Sequence, residues 1–215
     1  MLNELGDPSG WPRPDGYPNS LALCVIDSIW SIGIRYSTVV QVLDRYLTAR
    51  GENGLEGCQS HQEGPRAFLA WFSGPNGPHT PERFSELVAN CNRTSSKNGV
   101  LKAAAVVQAM HLLNGEAIDS TEDLCTRGDS VKDKWLSMIP GQSSGTSWSY
   151  LLMLAGEPGV KADRMVMSFM KRMSAPSEMT ADQFVDLIVQ EINDPRIDAT
   201  NIDHQIWLTE RSRQK

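Results

Sequence analysis

Ile139–Asp163 reads IPGQSSGTSWSYLLMLAGEPGVKAD, and this stretch decides the fold. The segment KWLSMI runs into it as the end of one helix. PGQSSG is a tight polar turn, TSWSYLLMLA a second helix, and GEPGVK a Gly/Pro loop that delivers Asp163 to the start of a third. A short turn between two helices presents backbone N–H groups at the surface, where they can hold an anion such as a phosphate. A carboxylate delivered to the mouth of such a unit is a candidate catalytic group.

Upstream the pattern is also helical. Leu21, Val25, Ile29 and Ile32 recur at helical spacing, and Val39, Val40, Leu43, Tyr46 and Leu47 recur on a second helix that Gly51 can end. Thr80 followed by Pro81 is a clean helix start. An apolar helix is expected over Val100–Leu113, and Ser120-x-x-Asp123 and Thr180-x-x-Gln183 have the form of capping boxes. The last periodic segment is Asn201–Arg211. Period-two alternation is nearly absent, so the fold class is all-α. Residues 1–19, rich in Pro, Gly and Asp, read as an irregular arm.

The bulk numbers set bounds. The chain has 215 residues, 40% hydrophobic and 21% charged, enough for one large or two small helical lobes. No apolar run reaches membrane-spanning length, and the first residues lack the basic and apolar regions of a signal peptide. Cys24, Cys58, Cys91 and Cys125 show no C-x-x-C spacing. Cys24 and Cys91 fall on apolar helix faces and read as buried free thiols, which points to a reducing, intracellular (cytoplasmic) setting. The net charge of −6 weighs against a nucleic-acid partner, unless a local basic face exists within the acidic whole. His111 and His204 are isolated, so no metal site is expected. No phosphate-cradling Gly-rich loop and no G-x-S-x-G nucleophile site occurs.

As a series, these pieces resemble the helix-hairpin-helix DNA glycosylases of the endonuclease III superfamily. The resemblance covers roughly residues 20–212. That family reads approximately L-P-G-[VI]-G-x-[KSWY]-T-A, then an Asp opening a helix at a fixed distance. Ile139-Pro140-Gly141 stands in the place of L-P-G, Thr146-Ser147 in that of T-A, and Asp163 at the family's separation from Gly145. LALCVIDSIWSIGIRYSTVVQVL resembles the family's first core helices, NGVLKAAAVVQAMHLL the helix two before the hairpin, and NIDHQIWLTERSR the closing core helix. There are three departures. Ser143 replaces the second hairpin glycine, Gly145 stands where bifunctional members carry a Schiff-base lysine, and no cysteine follows Cys125 to build an iron–sulfur loop.

The resemblance implies a two-lobed helical fold with an active-site cleft between the lobes. It implies a six-helix core over about 35–155 with the hairpin at 132–155, and a second lobe from 20–34 and 156–215. The implied activity is that of a monofunctional DNA N-glycosylase: a monomer without cofactor, acting on double-stranded DNA. Asp163 would be the catalytic carboxylate, stabilising an oxocarbenium-like sugar or activating water; a plain helix cap is the alternative. A flipped base needs a pocket of aromatic and polar groups. Trp148, Ser149, Asp27, Trp30 and Tyr36 are its candidates, with core packing the alternative for the aromatics. Asp27, in an otherwise apolar helix, reads the base, pairs with Arg35 or sits on a solvated face. Phosphate contacts are expected from the backbone of Gly141, Gln142, Ser143, Ser144 and Gly145 and from Lys161 and Arg164, near Lys171 and Arg172. A catalytically inactive relative that keeps the fold for DNA binding or protein interaction is the competing reading, and an acidic helical protein–protein module the third.

Overall fold

The computed structural model describes residues 2–213. Among these it contains twelve α-helices and no strand; one isolated antiparallel bridge joins Arg93 to Leu101. The all-α expectation holds. The helices are α1 (Leu2–Leu5), α2 (Leu21–Trp30), α3 (Tyr36–Ala49), α4 (Pro65–Phe72), α5 (Pro81–Leu87) and α6 (Lys102–Gly115). They continue with α7 (Thr121–Arg127), α8 (Asp129–Met138), α9 (Thr146–Ala155), α10 (Arg164–Arg172), α11 (Ala181–Ile192) and α12 (Ala199–Arg213).

Local chemistry accounts for most helix starts. Thr80 accepts the Arg83 N–H, with Pro81 in the first turn. Ser120 with Asp123 and Thr180 with Gln183 both close reciprocal capping boxes. Ser20 caps α2 by accepting the Leu23 N–H.

The chain divides into two units. The larger comprises residues 16–156, and the smaller joins residues 1–15 to 157–215. The larger unit is built around α2, whose ten residues are all buried. A helix apolar on every side belongs inside a bundle, and α2 lies against α9, α6, α3 and α4. Each buried Leu, Ile or Val there contributes roughly 1.5–3 kcal/mol relative to exposure. Phe68, Phe84, Tyr46 and Trp71 form an aromatic cluster beside it, edge-to-face except for Tyr46 and Phe68, which are tilted at 33°.

The smaller unit packs α10, α11 and α12 around Val166, Phe169, Phe184, Ile188, Ile202 and Ile206, with Leu5 and Trp11 in the same core. Two sequence expectations change here. Residues 20–34 group with the larger unit, because α2 buries its whole surface against that unit's helices. The stretch 1–19 is no loose arm. Residues Leu2–Leu5 are helical, Pro8–Gly10 form a 3-10 turn, and Leu5, Trp11 and Tyr17 are buried. The thiol expectation splits, with Cys24 buried and Cys91 exposed.

Candidate functional site

In the larger unit α8, a seven-residue turn and α9 form the expected hairpin. Gly141 and Gly145 hold the left-handed backbone that the turn needs, at φ +77 and +79. Gly141 is doubly constrained, because a Cβ there would lie 2.6 Å from the Thr94 Cβ. The Gln142 N–H donates to the Ile139 carbonyl at 3.2 Å and the Gly145 N–H to the Gln142 carbonyl at 3.2 Å. Two of the five expected anion donors are therefore spent inside the turn. The N–H groups of Gly141, Ser143 and Ser144 have no protein partner among the described residues, and all three residues are exposed. The Gln142 side chain folds inward; its amide donates to the Pro140 carbonyl at 3.1 Å, and its Oε1 is buried without a hydrogen bond.

The five base-pocket candidates fare unevenly. Trp148 is 1% exposed and packs edge-to-face on Trp135, whose indole N–H donates to Ser147 at 3.1 Å. Trp30 is fully buried, donates to Asn90 Oδ1 at 3.0 Å and meets Phe84 edge-on. Both are core residues; stacking on an inserted base would require the core to open. Ser149 is half-buried on α9, and Tyr36 is exposed at the start of α3.

Asp27 is completely buried, which removes the solvated-face reading. Its carboxylate accepts from the Tyr17 hydroxyl at 3.0 Å and from Ser31 Oγ at 3.0 Å, while Arg35 is exposed. Burial, then the charge of Asp27, pushes the Tyr17 phenol far above its ordinary range. The same two causes push Tyr36 up to about 12, with a Tyr17 hydrogen bond pulling it back. Tyr150, half-buried on α9, also acts on Tyr17. Sequence reasoning missed Tyr17 and Tyr150. The signal for Tyr17 was an aromatic hydroxyl in the supposed arm, ahead of a helix carrying an unexplained acid.

In the smaller unit Asp163 is the N-cap of α10. Its Oδ1 accepts the Met165 N–H at 2.7 Å and the Val166 N–H at 3.4 Å. The residue is half-exposed, and Oδ2 makes no hydrogen bond among the described residues. The loop before it is tied to α12: the Gly159 N–H donates to Thr200 Oγ1 at 3.2 Å and the Lys161 N–H to Asp203 Oδ1 at 2.9 Å. Sequence reasoning missed both acceptors. Asp203 is buried, and desolvation with the charges of Asp163 and Asp182 pushes its carboxyl up to about 7 against the pull of Lys161.

Of the expected basic face, Arg164 and Lys171 are exposed and Lys161 is half-buried. Arg172 is not available, because it is engaged by Glu4 at 2.7 Å and Glu210 at 2.7 Å and lies over the Phe169 ring. Among the described residues no cluster of His, Cys, Asp and Glu is placed to hold a metal ion, and no helix is long and apolar enough to cross a membrane. A surface depression lined by Pro78, His79, Arg83 and Glu86 contains none of the expected site residues.

These features define an all-α chain with a helix–turn–helix hairpin in one unit and a helix-capping carboxylate in the other. The chain belongs to the family described as a domain of unknown function, DUF8548, whose model matches residues 1–211 and so spans both units. No curated protein and no solved structure matches it.

Proposed function

We propose that this protein is a monofunctional DNA N-glycosylase that hydrolyses the glycosidic bond of a damaged or modified, flipped-out base. The observation carrying the reading is Asp163, whose one oxygen is committed to capping α10 while the other makes no hydrogen bond among the described residues, in a half-exposed residue. A carboxylate fixed through one oxygen keeps the other for stabilising an oxocarbenium-like sugar or orienting water. Supporting it, the hairpin leaves the N–H groups of Gly141, Ser143 and Ser144 unpartnered at the surface, a donor set suited to a phosphate of double-stranded DNA.

The two-lobed glycosylase fold with its cleft, action as a monomer and a DNA-associated, cytoplasmic setting belong to the same proposal. The chemistry is hydrolytic and calls for no cofactor, and with Gly145 at the lysine position it includes no Schiff-base lyase step. Tyr36 and Ser149 are the base-contacting candidates that remain; Asp27, fully buried and bonded to Tyr17 and Ser31, is not one of them. The buried state of Trp148 and Trp30 and the cap bonds of Asp163 favour a second reading: a DNA-binding or interaction module that has kept the fold without the reaction.

Incubation with duplexes carrying alkylated, oxidised or deaminated bases, scored for alkali-labile abasic sites, tests the first reading. Asn caps a helix about as well as Asp, so Asp163→Asn separates catalysis from folding. The expected outcome is excision by the wild type and a loss of roughly a hundredfold or more in the variant. Full excision by Asp163→Asn would remove the carboxylate from the mechanism. DNA binding without excision by the wild type would establish the second reading.

A further inference from the structure

The loop Glu157–Asp163 has no regular structure of its own, yet three consecutive residues in it are fixed. Gly159 donates its N–H to Thr200, and Lys161 donates its N–H to Asp203. Between them Val160, 4% exposed, is buried in the core of the smaller unit. Thr200 and Asp203 are three residues apart on α12 and therefore on one face of it. Alternate N–H groups of an extended segment point the same way, so two acceptors one turn apart on a helix can hold such a segment. From Lys161 the anchor passes directly to Asp163, whose N–H donates to the Lys161 carbonyl at 2.6 Å. Asp163 then caps α10.

We propose that Asp203 and Thr200 are positioning residues that clamp the 157–163 loop to α12 and so hold the Asp163 carboxylate in its working orientation. This rests on the glycosylase reading for its catalytic consequence. The groups acting on Asp203 are Lys161 from the loop, Asp163 from the α10 cap and Asp182 from α11. Helix α12 is itself set from both sides. Asp198 accepts the Thr200 and Asn201 N–H groups at its start, and Asp198 is paired with Arg13 at 2.7 Å.

The test uses the full chain and three substitutions. Asp203→Asn keeps an acceptor for the Lys161 N–H, Asp203→Leu removes it, and Thr200→Val removes only the bond to Gly159. Backbone amide exchange at Gly159 and Lys161 reads the clamp, and single-turnover excision on a modified duplex reads its consequence. Small misplacement of a reacting group costs up to about a hundredfold, so Asp203→Leu should excise roughly tenfold or more slowly at unchanged DNA affinity. It should also exchange faster at Lys161.

Asp203→Asn should restore both readouts to near wild type, which a general loss of stability would not do. Thr200→Val should speed exchange at Gly159 and slow excision by about threefold, the loss of one ordinary hydrogen bond. It decides the matter if Asp203→Leu does not fold. Wild-type excision by Asp203→Leu, or equal losses in the Asn and Leu variants, would overturn the positioning role. Absence of excision by the wild type on every duplex would instead refute the glycosylase reading, and amide exchange alone would then decide the clamp.

Discussion

Lys102→Met is the perturbation whose effect the structure defines most closely. Lys102 begins α6 and is 2% exposed, an unusual place for an ammonium group. Its Nζ donates to the carbonyls of Ile29 at 3.0 Å, Trp30 at 2.8 Å and Ile32 at 2.6 Å. Those carbonyls are at the C-terminal end of α2, where four acceptors lack partners within the helix and the helix dipole is negative. One side chain thus caps the central helix of the larger unit from a different helix.

Met preserves the stem but offers no donor, leaving the buried carbonyls of Ile29 and Trp30 and the part-buried carbonyl of Ile32 without it. A bond to a charged group contributes about 1.5–3 kcal/mol, and an orphaned buried acceptor costs about 1–3 kcal/mol. The same change also removes the cost of burying the ammonium. The net expectation is a loss of roughly 3–5 kcal/mol, comparable to breaking a buried charge pair. In a unit of this size that lowers the melting temperature by about 6–20 °C. Urea unfolding followed by the fluorescence of buried Trp30 and its neighbours measures it. A Lys102→Met protein within about 1 kcal/mol of wild type would show that the three contacts carry no net stabilisation, and the capping argument would fail.

Two further outcomes follow from other features. Gly141→Ala should be more damaging than Gly145→Ala in thermal melts. Both force a side chain into left-handed backbone, for about 1 kcal/mol, but only the first drives Cβ to 2.6 Å from Thr94, the second meeting just Leu136 at 3.8 Å. His61 bridges Glu63 at 2.9 Å and Glu52 at 3.0 Å, and the Glu63 bond, ahead of the opposing effect of burial, raises its pKa. A raised pKa means the folded state holds the proton more tightly, so the stabilisation is complete below the unfolded value near 6.5 and fades as pH rises through the folded one. Denaturation midpoints should therefore fall across this range in the wild type and less so in His61→Gln; parallel slopes would refute the bridge.

Whatever depends on neighbours along the chain was legible in the sequence. The Ser120 and Thr180 capping boxes and the Thr80–Pro81 start are local devices and formed as read. What was not legible depends on partners distant in sequence. Lys102 looked like an ordinary residue at a helix start, because its three acceptors lie about seventy residues earlier. Asp27 drew attention as a charge among apolar residues, but its hydroxyl partner Tyr17 lay in a segment read as irregular. Glu63 lies outside every periodic segment of the sequence, yet it is buried and bound by Tyr46, Arg50 and His61; the Arg50 contact is an ion pair at 2.7 Å. Aromatic residues suited to stacking, Trp148 and Trp30, proved equally suited to filling a core, and helical spacing alone cannot separate the two uses.

The smaller unit is assembled from the two ends of the described chain: Glu4 bridges Arg172 and Arg213, Gln205 holds the Leu5 carbonyl, and Arg13 holds Asp198. During synthesis its first strip leaves the ribosome long before the helices that receive it. Residues 16–156 can complete their own core meanwhile, at roughly 5–20 residues per second. Residues 1–15 then wait as an unsatisfied edge, with Leu5 and Trp11 uncovered, until α12 emerges. Deleting residues 2–13 would consequently weaken a unit whose other part is residues 157–215.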